Sequence, residues 1–182
     1  MKQGKKFLDI ITKYLLLALF SLGGLGIFYF VFTPLTLYPV FFILGFFYTA
    51  SIQGTTVYVN STAIEIINAC VAGSAYYLLL IFNLSTPGIR KRERVVMILS
   101  SFLIFLLANI ARIVVLSAMY ISGTPFFDIT HKLLWYLGST ILVVGIWFYQ
   151  AKSHKVKAIP AYSDLKFLHD NSIRKLLKTK VK

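Results

Sequence analysis

The chain has 182 residues, a formal net charge of +13 and a mean hydropathy of +0.76, and 58% of its residues are hydrophobic. A soluble domain of this size cannot bury that much apolar surface, so the composition points to a membrane protein. Its single cysteine excludes an intramolecular disulfide and any thiolate-rich zinc site.

The charge is clustered. Of 19 Lys and Arg, four lie in residues 2–13, four in residues 90–94 and nine in residues 152–182, leaving only Arg112 and Lys132 elsewhere. Basic clusters between apolar runs mark cytoplasmic loops, which makes nucleic acid an unfavoured partner.

In chain order, residues 1–13 are basic and mildly amphipathic. The apolar run from Tyr14 to Phe32 reads as an uncleaved membrane anchor, with Gly23, Gly24 and Gly26 allowing close helix packing. Thr33-Pro34 is expected to break it. A second apolar stretch, residues 35–50, contains Pro39 and is short for a full span. Residues 51–67 change character: Thr55–Val59 and Thr62–Ile66 are β-rich runs about Asn60-Ser61, which predicts a short hairpin. With open edges in lipid excluded, that hairpin belongs at the membrane surface or under other protein.

A third apolar stretch, residues 67–83, carries Cys70 near its start and ends at Ser85-Thr86-Pro87-Gly88. The cluster Arg90-Lys91-Arg92-Glu93-Arg94 follows. The fourth stretch, residues 95–120, contains Asn109 and Arg112. The fifth, residues 131–149, begins at His131, with Trp135 and Trp147 near its ends as interfacial anchors. The basic tail, residues 151–182, is expected to lay a short amphipathic helix on an anionic cytoplasmic leaflet. The expected fold is therefore an all-α polytopic membrane protein. It has about five hydrophobic helices in residues 1–150, a hairpin-like external segment and a cytoplasmic tail.

The loop at 90–94 and the tail both favour the cytoplasm, which sets Cys70 near the external face. The N-terminal lysines fit only if residues 35–50 do not add a complete crossing. Counting helix rise from the inner ends puts Cys70, Arg112 and His131 in the outer part of the membrane at about one level. Each has an ordinary explanation: packing filler for Cys70, snorkelling for Arg112, an interfacial position for His131. A polar cluster inside membrane helices is nonetheless a functional-site hypothesis by default. Asn109 lies one turn below Arg112 on the same face, and Asp128 can orient the His131 ring or cap its helix. A thiol nucleophile, a guanidinium to hold a tetrahedral oxyanion and an imidazole to carry the proton together permit acyl transfer. One Cys, one His and Asp128 make a poor metal site, so neither metal nor cofactor is expected.

At these residues the chain resembles the exosortase/archaeosortase family of membrane cysteine transpeptidases. The resemblance covers roughly residues 45–150. It rests on the strand-like segment leading into Cys70-Val71-Ala72-Gly73, on Asn109-Ile110-Ala111-Arg112, and on His131 at the last membrane helix. Many relatives carry a small residue and then Gly directly after the cysteine; here Val71-Ala72 precedes Gly73. The resemblance implies a protease-like sorting enzyme of the cell surface. Its partners would be exported precursors bearing a C-terminal signal of motif, apolar helix and basic tail, with a membrane lipid as acyl acceptor. Cys70 would form the acyl-thioester, with Arg112 as proton donor and His131 as transition-state stabiliser. On physical grounds His131 is the better proton carrier and Arg112 the better anion holder. The competing expectation is a small non-enzymatic membrane protein, a transporter subunit or assembly factor, in which Arg112 and His131 line a polar path.

Overall fold

The computed structural model describes residues 8, 10–15, 17–19, 25–154 and 156. These form helices α1 Gly26–Phe47, α2 Asn68–Val71, α3 Gly73–Ser85, α4 Lys91–Ile121, α5 Phe127–Leu133 and α6 Ser139–Ser153. Three short strands, β1 Ala50–Gln53, β2 Thr56–Val59 and β3 Thr62–Glu65, lie between α1 and α2. A single π-helical turn, Leu134–Gly138, joins α5 to α6. The chain is mostly helical, and four of its rods are long and apolar enough to cross a membrane: Gly26–Phe47, Asn68–Ser85, Lys91–Ile121 and Phe127–Ser153. Among the described residues the number is thus four rather than the expected five.

The difference lies at the N-terminal end. The break expected at Thr33-Pro34 is absent, because α1 runs unbroken through both Pro34 and Pro39. Each proline removes one backbone hydrogen bond and costs about 3 kcal/mol in an isolated helix interior. Here Pro34 sits on the exposed side of α1, while Phe32, Leu37, Val40 and Leu44 are buried along the opposite side. Packing of that side over the whole length of α1 offsets the loss, as tertiary contacts commonly override helix propensity. Before α1, the apolar helix Ile10–Leu19 is short. Ten residues give about 15 Å, half of a hydrocarbon core. Gly23, Gly24 and residues 157–182 of the predicted tail helix lie outside the described residues. Gly26 has open space around its Cα and makes no close helix contact among the described residues.

The β-rich segment is a three-stranded antiparallel sheet in the order β1-β2-β3 rather than a lone hairpin. The expected turn at Asn60-Ser61 joins β2 to β3, with Asn60 at φ +53°. The lead-in Ser51-Ile52-Gln53 is itself a strand, returned by Gly54 at φ +61° and Thr55. Both positions are left-handed, the conformation that two-residue hairpin turns require. Val57 and Val59 of β2 are fully buried, while Tyr58 between them is exposed. This is the period-two alternation of a half-buried strand.

Aromatic rings hold α1, α3 and α4 together. Phe32 stacks on Tyr76 with centroids 3.6 Å apart, and Phe102 and Phe105 meet Tyr76 edge-on at 5.5 and 4.8 Å. Each such pair contributes about 0.5–1.5 kcal/mol beyond area burial. α4 and α6 are fixed in height by Gln150, whose Nε2 donates to Ser100 Oγ at 2.7 Å. Outward faces are strongly apolar: Phe30 and Phe46 are each 84% exposed. At the top of α3, Gly73 lets α1 approach, since a Cβ there would lie 2.7 Å from Tyr29 Cε1.

That contact yields a stability prediction. Gly73→Val should lower stability by about 1–3 kcal/mol through overpacking against Tyr29. Gly145→Ala, in open space within α6, should be neutral or stabilising by up to about 1 kcal/mol. Thermal unfolding of both variants in detergent checks the contrast.

Candidate active site

The site starts from a local break in the chain. α2 is only one turn long and ends because Ala72 adopts the left-handed conformation, φ +57°, before α3 begins at Gly73. For a non-glycine residue that conformation costs roughly 1–2 kcal/mol. In an unbroken helix the Cys70 carbonyl would accept the Ser74 N–H, four residues on. The turn at Ala72 takes it out of that ladder and leaves it to side chains of α4. Asn109 Nδ2 donates to Cys70 O at 2.9 Å, and Arg112 Nη2 donates to the same oxygen at 3.5 Å.

Arg112 has a second anchor. Its Nη1 donates to Ser139 Oγ at 3.0 Å, at the first residue of α6. Its Nε–H is buried and has no acceptor among the described residues. Asn109 is 1% exposed, so its amide is committed to holding Cys70 in place. The expectation that Asn109 and Arg112 share an inward face of one helix agrees with these bonds.

Cys70, Arg112 and His131 come from α2, α4 and α5 and line one cavity of about 310 Å³. Its walls include β3 and the residues after it, the C-terminal end of α4, and α5 with Trp135 beyond it. Cys70 is partly exposed and carries a free thiol. His131 stacks on Phe127 at 5.4 Å and meets Trp135 edge-on at 5.8 Å.

Three expectations need correction. His131 is not level with Arg112: Arg112 bonds to Ser139, eight residues further along the same rod. His131 therefore lies nearer the C-terminal end of α4 than Arg112 does, by about 12 Å or somewhat less. The rise count fails because it takes Tyr149 and Arg94 as level, whereas the Gln150–Ser100 bond sets that end of α6 about six residues higher on α4. Nor is His131 at the start of the last helix, since α5 begins at Phe127. Asp128 does not orient the imidazole; it is exposed in the first turn of α5 and makes no capping bond there. Trp135 is a wall of the cavity as well as an aromatic near the helix end.

Sequence reasoning missed Glu65, Tyr120 and Ser139. Glu65 and Tyr120 line the cavity, and Glu65 is its only carboxylate among the described residues. The signal for Glu65 was its isolation, as one of just six acidic residues in the chain. Ser139 gave none, because a serine in an apolar run is unexceptional until its partner is known.

Chemically, the cavity is lined by a thiol, a guanidinium and an imidazole, within mainly apolar walls. That set fits attack on a carbonyl and stabilisation of the resulting oxyanion. Among the described residues no three His, Cys, Asp or Glu side chains converge to hold a metal ion. Comparison with family models, with curated proteins and with solved structures finds no match for this chain.

Two substitutions test how the break is held. Asn109→Leu removes the short bond to the Cys70 carbonyl and should destabilise by about 1–3 kcal/mol. It should also change the rate at which a maleimide labels Cys70. Ala72→Gly relieves the left-handed alanine and should stabilise by about 1 kcal/mol. Unfolding midpoints and labelling rates check both.

Proposed function

We propose that the chain is a multi-pass membrane cysteine transpeptidase of the exosortase/archaeosortase kind. It cleaves exported precursor proteins at a C-terminal sorting signal and passes the new carboxyl end to a lipid acceptor. The observation that carries this reading is the meeting of Cys70, Arg112 and His131, from three separate elements, around one cavity. A filler cysteine needs no such neighbours.

The orientation follows from charge. With α1 as the one long helix before the sheet among the described residues, the proposed topology puts residues 2–13 on the same membrane side as the cluster at 90–94. The basic tail after α6 falls on that side as well. All three basic clusters are then cytoplasmic, as the positive-inside rule favours, and the sheet and cavity face outward. This orientation avoids the conflict that two N-terminal crossings would create. Outward placement suits substrates that have already been exported.

The reaction runs through Cys70. His131 takes the Cys70 S–H proton, and the resulting thiolate attacks the scissile carbonyl carbon, forming the C–S bond, while the carbonyl oxygen takes the negative charge. Arg112 holds that oxyanion through its guanidinium, whose plane is fixed by its contacts to Ser139 and Cys70 O. The C–N bond then breaks, and the leaving amine takes a proton from His131. This leaves an acyl-thioester on Cys70. A lipid hydroxyl or amine gives its proton to His131 and attacks the thioester; the C–S bond breaks and the thiolate returns. Asn109 acts through the Cys70 backbone and is a positioning residue.

Cys70→Ala should fold and leave precursors uncleaved, a loss of at least about a thousandfold. Arg112→Lys keeps the charge but not the planar fork, and should lose about a hundredfold. Immunoblots of cell-surface proteins for retained C-terminal segments measure both. Normal processing in Cys70→Ala cells contradicts the proposal.

A further inference from the structure

The walls of the cavity include five consecutive residues, Ala63, Ile64, Glu65, Ile66 and Ile67. Successive side chains of a strand point to opposite faces. A wall made of every residue in turn is therefore the edge of the strand, with its backbone. β3 is the last strand of its sheet, and nothing among the described residues pairs with its outer edge.

The register identifies which backbone groups that edge presents. Ile66 N–H donates to Thr55 O at 2.9 Å, one step beyond the pair Thr56↔Glu65. Hydrogen-bonded and non-bonded pairs alternate along an antiparallel ladder. Val57↔Ile64 and Val59↔Thr62 are then the bonded pairs, and Tyr58↔Ala63 and Thr56↔Glu65 the non-bonded ones. The N–H and C=O groups of Ala63 and Glu65 consequently point away from β2, toward the free edge. No hydrogen bond engages any of these four groups among the described residues. Ile67 O, the next outward carbonyl, is already taken by Cys70 N–H at 2.8 Å, so the open edge stops where the turn carrying the thiol begins.

We propose that this edge is the backbone subsite of the enzyme. The segment to be cut binds as an extended fourth strand along β3, bonded to the N–H and C=O groups of Ala63 and Glu65, and this register delivers its scissile carbonyl to Cys70. The inference rests on the transpeptidase reading and names how its substrate is held. The occupant is a peptide because the edge offers donor–acceptor pairs at a two-residue repeat, about 6.6 Å, which another strand matches. A lipid headgroup has no such repeat. Unpaired strand edges are also costly beside hydrocarbon, and a peptide strand satisfies these groups where acyl chains cannot. Leu116, Tyr120 and Trp135 complete the apolar lining around the bound segment. The cavity, at about 310 Å³, is at the small end of ligand sites and admits only a short stretch of chain.

The test uses the full-length chain in membranes. Proteins that keep their C-terminal segment in Cys70→Ala cells, and lose it in wild-type cells, identify the substrates. A synthetic peptide covering one such cut site is then N-methylated at each position in turn and cleaved by the wild-type enzyme. Blocking a backbone N–H that faces β3 should slow cleavage about tenfold, while methylation at intervening positions should change it about twofold or less. The predicted signature is this alternation with a period of two. Ala63→Pro removes an outward N–H without touching the β2–β3 ladder, as an edge position permits. It should slow cleavage by a similar factor while Cys70 still labels with maleimide. Slowing without a two-residue period, or no slowing, overturns the edge subsite and leaves the transpeptidase reading standing. If no protein retains its C-terminal segment in Cys70→Ala cells, both fall together.

Discussion

The site depends on the backbone carbonyl of Cys70. Ala72 turns into the left-handed region, the helical ladder stops, and that oxygen must find donors elsewhere. It finds them on α4, in Asn109 at 2.9 Å and Arg112 at 3.5 Å. One oxygen thereby ties the cysteine turn to the long helix and helps set the guanidinium beside the thiol. An ordinary helix through residue 72 would satisfy the carbonyl internally and leave both side chains without this partner. A buried Asn or Arg with nothing to bond is costly in an apolar surrounding. The strain at Ala72 and the polar pair on α4 therefore account for one another.

The rest of the fold supplies the rigidity that this arrangement needs. The stacked rings of Phe32 and Tyr76, closed by Phe102 and Phe105, clamp α1, α3 and α4 just inside the site. The Gln150–Ser100 bond sets α6 against α4, and with it the height of Ser139 beneath the Arg112 fork. Above this level the sheet and α5 diverge enough to leave the cavity. Under the proposed orientation that opening faces outward, and its walls include a strand edge and the rings of Tyr120, Phe127 and Trp135.

Much of this was legible in the sequence, and the reasons for the remainder are physical. Charge clusters and apolar runs gave the helices from α2 onward, because they reflect how segments partition between water and an apolar phase. The hairpin at Asn60-Ser61 was readable from its turn chemistry. Cys70 with Arg112 was found by spacing alone, since helix rise is uniform over short distances. Prolines 34 and 39 misled, because local propensity says nothing about the packing that carries α1 through them. His131 was set at the wrong height because rise gives distance along a helix, not its offset from its neighbours. Only the bonds of Gln150 and Arg112 reveal that offset. The break at Ala72 carried no signal, as alanine is among the best helix formers and only its tertiary surroundings hold it left-handed.

The central claim is that Cys70 carries the acyl group. Mass spectrometry of the Cys70 peptide, isolated at acidic pH from cells producing the wild-type chain, tests this most directly. The account predicts an adduct whose mass matches the processed carboxyl end of an exported protein. Neutral hydroxylamine should release it as a thioester, and Arg112→Lys should diminish it. A Cys70 peptide that is unmodified while precursors are being cut, or an adduct that resists hydroxylamine, would contradict it.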